Sequence, residues 1–152
     1  MNETNKRISA HFSLTELTHS ATALRRGISN RPGPSEIANL TALAVNILEP
    51  VRQNFAIPFR PSSGFRTLIL NQLIGSEMTS QHITGQAVDF EIPGIPNLEL
   101  AGWIKNNLKF DQLILEFYRS GDPRSGWVHC SYVDGGNRHQ CLIFDGKKYE
   151  DF

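Results

Sequence analysis

Ala87-Val88-Asp89-Phe90-Glu91-Ile92 alternates apolar and acidic side chains, and that alternation decides how the chain is expected to fold. Side chains along a strand point to opposite faces in turn, so Val88, Phe90 and Ile92 share an inward face and Asp89 lies outward. Two later stretches repeat the rhythm. In Gln112-Leu113-Ile114-Leu115-Glu116-Phe117 the inward set is Leu113, Leu115 and Phe117, which leaves Gln112, Ile114 and Glu116 outward. In Trp127-Val128-His129-Cys130-Ser131-Tyr132, Val128, Cys130 and Tyr132 point inward and His129 stands outward between Trp127 and Ser131. Set side by side over a core, the three strands would present Asp89, Glu116 and His129 on one open face.

The segments before them read as helices. Ser13-Leu14-Thr15-Glu16 has the capping-box spacing, serine at the N-cap and glutamate three residues on. Arg31-Pro32-Gly33-Pro34 is a loop. Ser35 can then cap a helix whose Ile37, Leu40, Ala44, Ile47, Leu48 and Val51 recur mostly three or four residues apart. Pro50 falls late in that pattern and should kink it, because it lacks an N–H and crowds the preceding turn. Residues 59–63 read as a short strand, 68–74 as a short helix stopping at Gly75, 76–81 as a polar loop and 98–108 as a further helix. Residues 140–144 read as the returning arm of a hairpin tipped by Gly135-Gly136. Helices precede a mostly antiparallel sheet, so the expected class is α+β, with helices packed on a sheet whose other face is open. One domain is expected to span residues 1–152.

Composition narrows the function classes. Hydrophobic residues make up 39% and charged residues 20%, which suits a folded core rather than disorder. Fifteen basic residues balance fifteen acidic ones, so no net field draws nucleic acid or anionic lipid, and neither is expected as a partner. No apolar run approaches the roughly 20 residues that span a bilayer, so no membrane insertion is expected. The start, Met1-Asn2-Glu3-Thr4-Asn5-Lys6-Arg7, is polar with no apolar stretch behind it, which leads to the expectation of a chain made in the cytoplasm without a secretory signal. Cys130 and Cys141 are too few for a disulfide scaffold and lack zinc-finger spacing. In a hairpin tipped by Gly135-Gly136 they would face each other, as a cross-strand disulfide or as two small buried residues.

His82 can join the outward face from the loop before the first strand, since Thr84-Gly85 can turn the chain back. Two imidazoles and two carboxylates suit a metal or an acid–base site. Zinc fits: its hydrolytic sites use three nitrogen and oxygen ligands and leave a fourth position open. Glu116 is then the carboxylate placed to take a proton. Spacing alone leaves the plainer reading open, in which these are solvated strand residues.

A longer pattern narrows the choice. Ser80-Gln81-His82-Ile83-Thr84-Gly85-Gln86-Ala87-Val88-Asp89 fits S-x-H-x-x-G-x-A-x-D and resembles the zinc D-Ala-D-Ala carboxypeptidase family of metallopeptidases. Ser63-Gly64-Phe65-Arg66-Thr67 looks like that family's S-G-[YF]-R segment, and Trp127-Val128-His129 like its late W-x-H segment. Phe12-Ser13-Leu14-Thr15-Glu16-Leu17 and Leu48-Glu49-Pro50-Val51-Arg52 look like the small, single-domain members, many of them phage-encoded. The resemblance implies one zinc ion held by His82, Asp89 and His129. It implies substrate binding by Arg66, with Ser80 supporting substrate or neighbouring hydrogen bonds; Trp127 would stack on substrate or wall the cleft.

The base is less direct. Several relatives carry E-x-x-H, but here that glutamate position is Gly126, a departure from the pattern. The distantly similar hedgehog signalling domain has a strand-end glutamate before its histidine segment, and by that likeness Glu116 is the catalytic base, with Asp122 as the runner-up. His11, His19 and His139 read as surface residues, Glu91 as a solvated group, and Asp134, Asn137 and Asp145 as turn residues. The resemblance implies cleavage of a peptidoglycan stem peptide, as a phage-type endolysin cutting an L-Ala–D-Glu or D-Ala-containing bond and acting as a monomer at the wall after release. The alternatives are a cytoplasmic or periplasmic D,D-carboxypeptidase or dipeptidase, and a non-catalytic zinc-binding interaction module.

Overall fold

The computed structural model describes residues 6–152; of the polar start read above, Met1 to Asn5 lie outside the described residues. Two short helices come first, α1 (Leu14–Thr18) and α2 (Ala21–Arg26). The Ser13 hydroxyl accepts the Glu16 N–H and the Glu16 carboxylate accepts the Ser13 N–H, which closes the capping box. Helix α2 was not expected; Ser20 caps its start and Gly27 ends it in the left-handed region.

The long helical face is realised in three pieces. Helix α3 (Pro34–Leu43) runs without a break into a π-helical segment, Ala44–Leu48, and then α4 (Glu49–Phe55). Pro50 explains the interruption. It has no N–H to give to Asn46 and its ring crowds that carbonyl, and the wider π turn, in which Glu49 N–H reaches back to Ala44 O, makes the room. Leu40, Leu43, Ala44, Ile47, Leu48 and Val51 are all fully buried along this face. Each large one contributes about 1.5–3 kcal/mol relative to exposure.

Helix α5 (Leu68–Leu73) starts on the Thr67 cap, and α6 (Asn97–Asn107) follows strand β1 (Ala87–Phe90). Strands β2 (Gln112–Glu116), β3 (Trp127–Ser131), β4 (Gln140–Phe144) and β5 (Tyr149–Asp151) complete a five-stranded sheet of order β1-β3-β2-β4-β5. It is mostly antiparallel, and the class is α+β as expected. Helix α3 packs on β1, and α6 on β2 and β3. Val88, Phe90, Leu113, Leu115, Val128 and Cys130 face these helices and are fully buried.

Three expectations are corrected. Residues 59–63 do not form a strand; only Ser63 bridges to Asp89, because Pro58 and Pro61 interrupt the ladder. Phe117 does not point into the core. It leaves β2 at φ +52° and turns outward, half exposed, to stack on Trp127 with ring centroids 5.2 Å apart.

The third correction concerns β4, which does not return along β3. It crosses over and pairs in parallel with β2, Gln140 opposite Gln112 and Cys141 opposite Leu113. Cys130 also lies opposite Leu113, but on the other side of β2. The two cysteines are therefore two strand spacings apart, roughly 10 Å, and both are free thiols. The cause is local. Arg138 N–H, His139 N–H and Gln140 N–H bond to Asp111 Oδ1, Phe110 O and Asp111 O, which fastens the start of β4 beside the start of β2.

Candidate metal centre

The strand register brings the outward residues together. Asp89 lies directly opposite His129, and His129 opposite Ile114. Glu116 is one outward position further along β2, opposite Trp127. His82 arrives from the turn ahead of β1. There Gly85 adopts φ +76°, and a Cβ on it would lie 2.6 Å from the Glu36 carbonyl oxygen of α3. Only glycine both turns the chain and lets it approach that helix so closely.

His82 is 2% exposed. Its Nδ1 lies 2.7 Å from the Gly64 carbonyl oxygen, which can only accept, so Nδ1 carries the proton and Nε2 presents its lone pair. That Nε2 lies 3.3 Å from Asp89 Oδ2 but is not aligned for a hydrogen bond, and it is buried with no hydrogen-bond partner. On the other side His129 Nδ1 is 2.9 Å from Asp89 Oδ1. The two imidazole rings stand edge to face, 5.2 Å between centroids. One ligand atom from each of His82, Asp89 and His129 falls within 4.8 Å of the others, the one such group among the described residues. Two nitrogens and a carboxylate oxygen make a donor set that suits zinc.

Electrostatics agree with that chemistry. Burial pushes the His82 pKa down, against the pull of Asp89, so the ring is neutral and its lone pair available. For Asp89 burial works upward, but His82 and His129 outweigh it and hold the carboxyl well below its usual range. A neutral imidazole beside an ionised carboxylate is the protonation state a metal ion requires of these groups. Glu116 behaves in the opposite sense. Burial raises its pKa, with Asp89 adding and His129 opposing, which moves it toward the range useful for taking and returning a proton.

His82, Asp89, His129, Glu116, Arg66, Ser80 and Trp127 all line a single cleft of about 800 Å³. Arg66 sits just ahead of α5, its backbone N–H bonded to His82 O. Its Nε is buried without a partner. Burial lowers its pKa and Asp89 opposes this, yet a guanidinium starts so high that it remains a cation. The Ser80 hydroxyl accepts the His82 N–H at 3.3 Å.

The runner-up base is elsewhere: Asp122 accepts from Arg119 and from the Arg124 N–H in a surface turn. Glu91 accepts from Asn97 Nδ2. His19 is exposed, His139 stacks on Phe110, and His11 is bound to Glu49 at 2.7 Å. Asn137 and Asp145 bond to backbone N–H groups of their own turns. Sequence reasoning missed Gln81, Gln112, Arg138 and Tyr149, which also line the cleft. For Gln81 and Gln112 the signals existed, adjacency to His82 and outward parity on β2. Arg138 and Tyr149 follow strand β3 in segments whose placement depends on the crossover.

The family model of peptidase M15 matches residues 10–131. The chain belongs to the peptidase M15 family. Zinc-dependent peptidases make up that family, and His82, Asp89 and His129 form a group that could hold a metal ion. No curated protein matches the chain. The matched span covers every residue of the group and Glu116, and it ends at Ser131, before β4 and β5. Among the described residues no helix is long and apolar enough to cross a membrane.

Proposed function

We propose that this M15 peptidase hydrolyses a peptide bond in peptidoglycan stem peptides, with one zinc ion held by His82, Asp89 and His129. The observation that carries the reading is the buried, unpartnered Nε2 of His82 facing Asp89 at the floor of a cleft that also holds Glu116. A buried nitrogen lone pair without a donor is costly unless something fills the gap. A bound zinc ion supplies Lewis acidity, which makes water a competent nucleophile near neutral pH and polarises a carbonyl.

The remaining roles belong to the chain. Glu116 takes a proton from the attacking water and returns it to the leaving amine nitrogen. Its raised pKa suits both halves of that exchange. Arg66, whose Nε is buried without a hydrogen-bond partner, holds a carboxylate or carbonyl oxygen of the peptide. Ser80 steadies the loop that carries His82, and Trp127 walls the cleft beside Glu116. The likeness to small phage-encoded members supports an endolysin that reaches the wall after release, rather than a cytoplasmic or periplasmic dipeptidase.

The test is direct. Purified cell walls are incubated with the zinc-loaded protein, and the fragments are read by mass spectrometry. New peptide amines that disappear with chelator and return with zinc are expected, and the fragment masses identify the bond. Walls left intact under every metal condition would sink the proposal and favour a zinc-binding module without catalysis.

A further inference from the structure

The cleft contains a second cation, and its surroundings are built. Asp111, 4% exposed, immediately precedes β2, at the end of that strand away from Glu116. Arg138 donates to Asp111 Oδ1 from both its backbone N and its Nε at 3.0 Å, and to Oδ2 from Nη2 at 2.8 Å. Gln81 Nε2 donates to the same Oδ2 at 2.9 Å. The guanidinium is thereby fixed by one edge. Among the described residues nothing engages Nη1, and the side chain is 56% exposed while lining the cleft. One prong of a rigid fork, with the second hydrogen of Nη2 beside it, is left for something outside the protein.

Position narrows what that is. Along the outward face of β2 the order is Glu116, Ile114, Gln112, and Ile114 is level with His129. The Gln112 level is two residues further, roughly 7 Å from the His129 level. Arg138 therefore reaches a group displaced from the scissile bond by about two backbone residues or one side chain. Arg66 already stands beside Asp89, so a second guanidinium at this distance addresses a second anion or oxygen.

We infer that Arg138 is a specificity residue that binds a branch carboxylate of the peptide, one that takes no part in the cleaved bond itself. This rests on the peptidase reading above and extends it to the substrate class: peptides carrying a free carboxylate off the main chain near the cut. A planar fork whose orientation is already fixed loses little freedom on binding a carboxylate, which is why the Asp111 clamp matters. Arg138 lies beyond the span matched to the family, so the inference concerns this chain's own residues.

The experiment is a cycle of substrate against variant. Stem pentapeptides are prepared with both branch carboxylates free, with the glutamyl α-carboxylate amidated, and with the diamino-acid side carboxylate amidated. The wild type is expected to lose about 10- to 100-fold in kcat/KM on one of the amides. Arg138→Gln should lose a similar factor on the free acid and little on that amide. If Arg138→Gln does not fold, the same ratio in Arg138→Lys decides the matter; it keeps a cation over Asp111 but loses the fork. Equal slowing of all three peptides, or discrimination that survives the substitution, overturns the role of Arg138 while leaving the peptidase reading intact. No cleavage of any peptide by the zinc-loaded wild type overturns both.

Discussion

Asp89 lines the cleft and Asp111 lies behind it, bonded to the lining residues Arg138 and Gln81; both carboxylates are held in their ionised form, and they are finished differently. Asp111 is saturated: Arg138 N–H and Nε on one oxygen, Arg138 Nη2 and Gln81 on the other. Asp89 faces two imidazoles, and the closest nitrogen of one of them is misaligned and unpartnered. A saturated carboxylate is a joint; one that faces an unpartnered imidazole nitrogen is a place for a ligand. The difference separates the residues that shape the cleft from those expected to act in it.

The sharpest way to break the comparison is Asp89→Ala. Wall hydrolysis should fall below detection, and zinc should no longer raise the melting temperature. In the wild type that rise reflects about 2.7 kcal/mol when zinc is at a hundred times its Kd. An undiminished zinc-dependent shift in the variant would remove Asp89 from the ligand set.

Next in size is Glu116→Gln. It should lower kcat by about 10²- to 10⁴-fold with zinc content unchanged, since only the proton acceptor is removed. Full activity in amine release would exclude Glu116 as the base.

Gly64→Ala tests the support of His82. An added Cβ would lie 2.3 Å from the Leu17 carbonyl oxygen, so helix α1 or the Gly64 carbonyl must move. A loss of about 1–3 kcal/mol in denaturant unfolding is expected, with about 10- to 100-fold weaker zinc affinity. Wild-type zinc affinity in a well-folded variant would show that the Gly64 contact does not orient the ring.

The smallest effect concerns the saturated partner. Arg138 is the main cause of the Asp111 pKa falling from 3.8 to about 2. The folded value lies below the unfolded one, so the stabilisation is complete above about pH 4 and is lost as pH falls toward 2. Denaturant midpoints measured at about pH 5 and pH 3 should therefore drop less in Asp111→Asn than in the wild type. Because Arg138 is largely exposed, the difference should be modest. An identical drop in both proteins would mean the pair does not set acid stability.

How far the sequence could be read follows the same division. Alternation along three strands placed Asp89, Glu116 and His129 on one face, because parity is a local property. The capping box at Ser13 and the trouble at Pro50 were legible for the same reason, although the π turn that accommodates Pro50 was not. The failures were long-range. Nothing local in Asp111 or Arg138 announces a partner 27 residues away, yet that pair sends β4 across β2 and separates Cys130 from Cys141. Phe117 also escaped parity, since a positive φ at the strand end reversed its direction.

The carbonyl of Gly64 orients His82, while Gly64 itself lies against the Leu17 backbone and the next residue, Phe65, donates its N–H to Leu17 O at 2.8 Å. The N-terminal helix is thus wired into the metal centre through two backbone groups rather than through its own side chains. In engineering terms the sheet is not a portable catalytic cassette. A trimmed version beginning after α1 would keep every residue named as ligand or base and lose the template that aims one of them. Swapping helices between relatives would succeed only where this main-chain seam is copied along with the side chains.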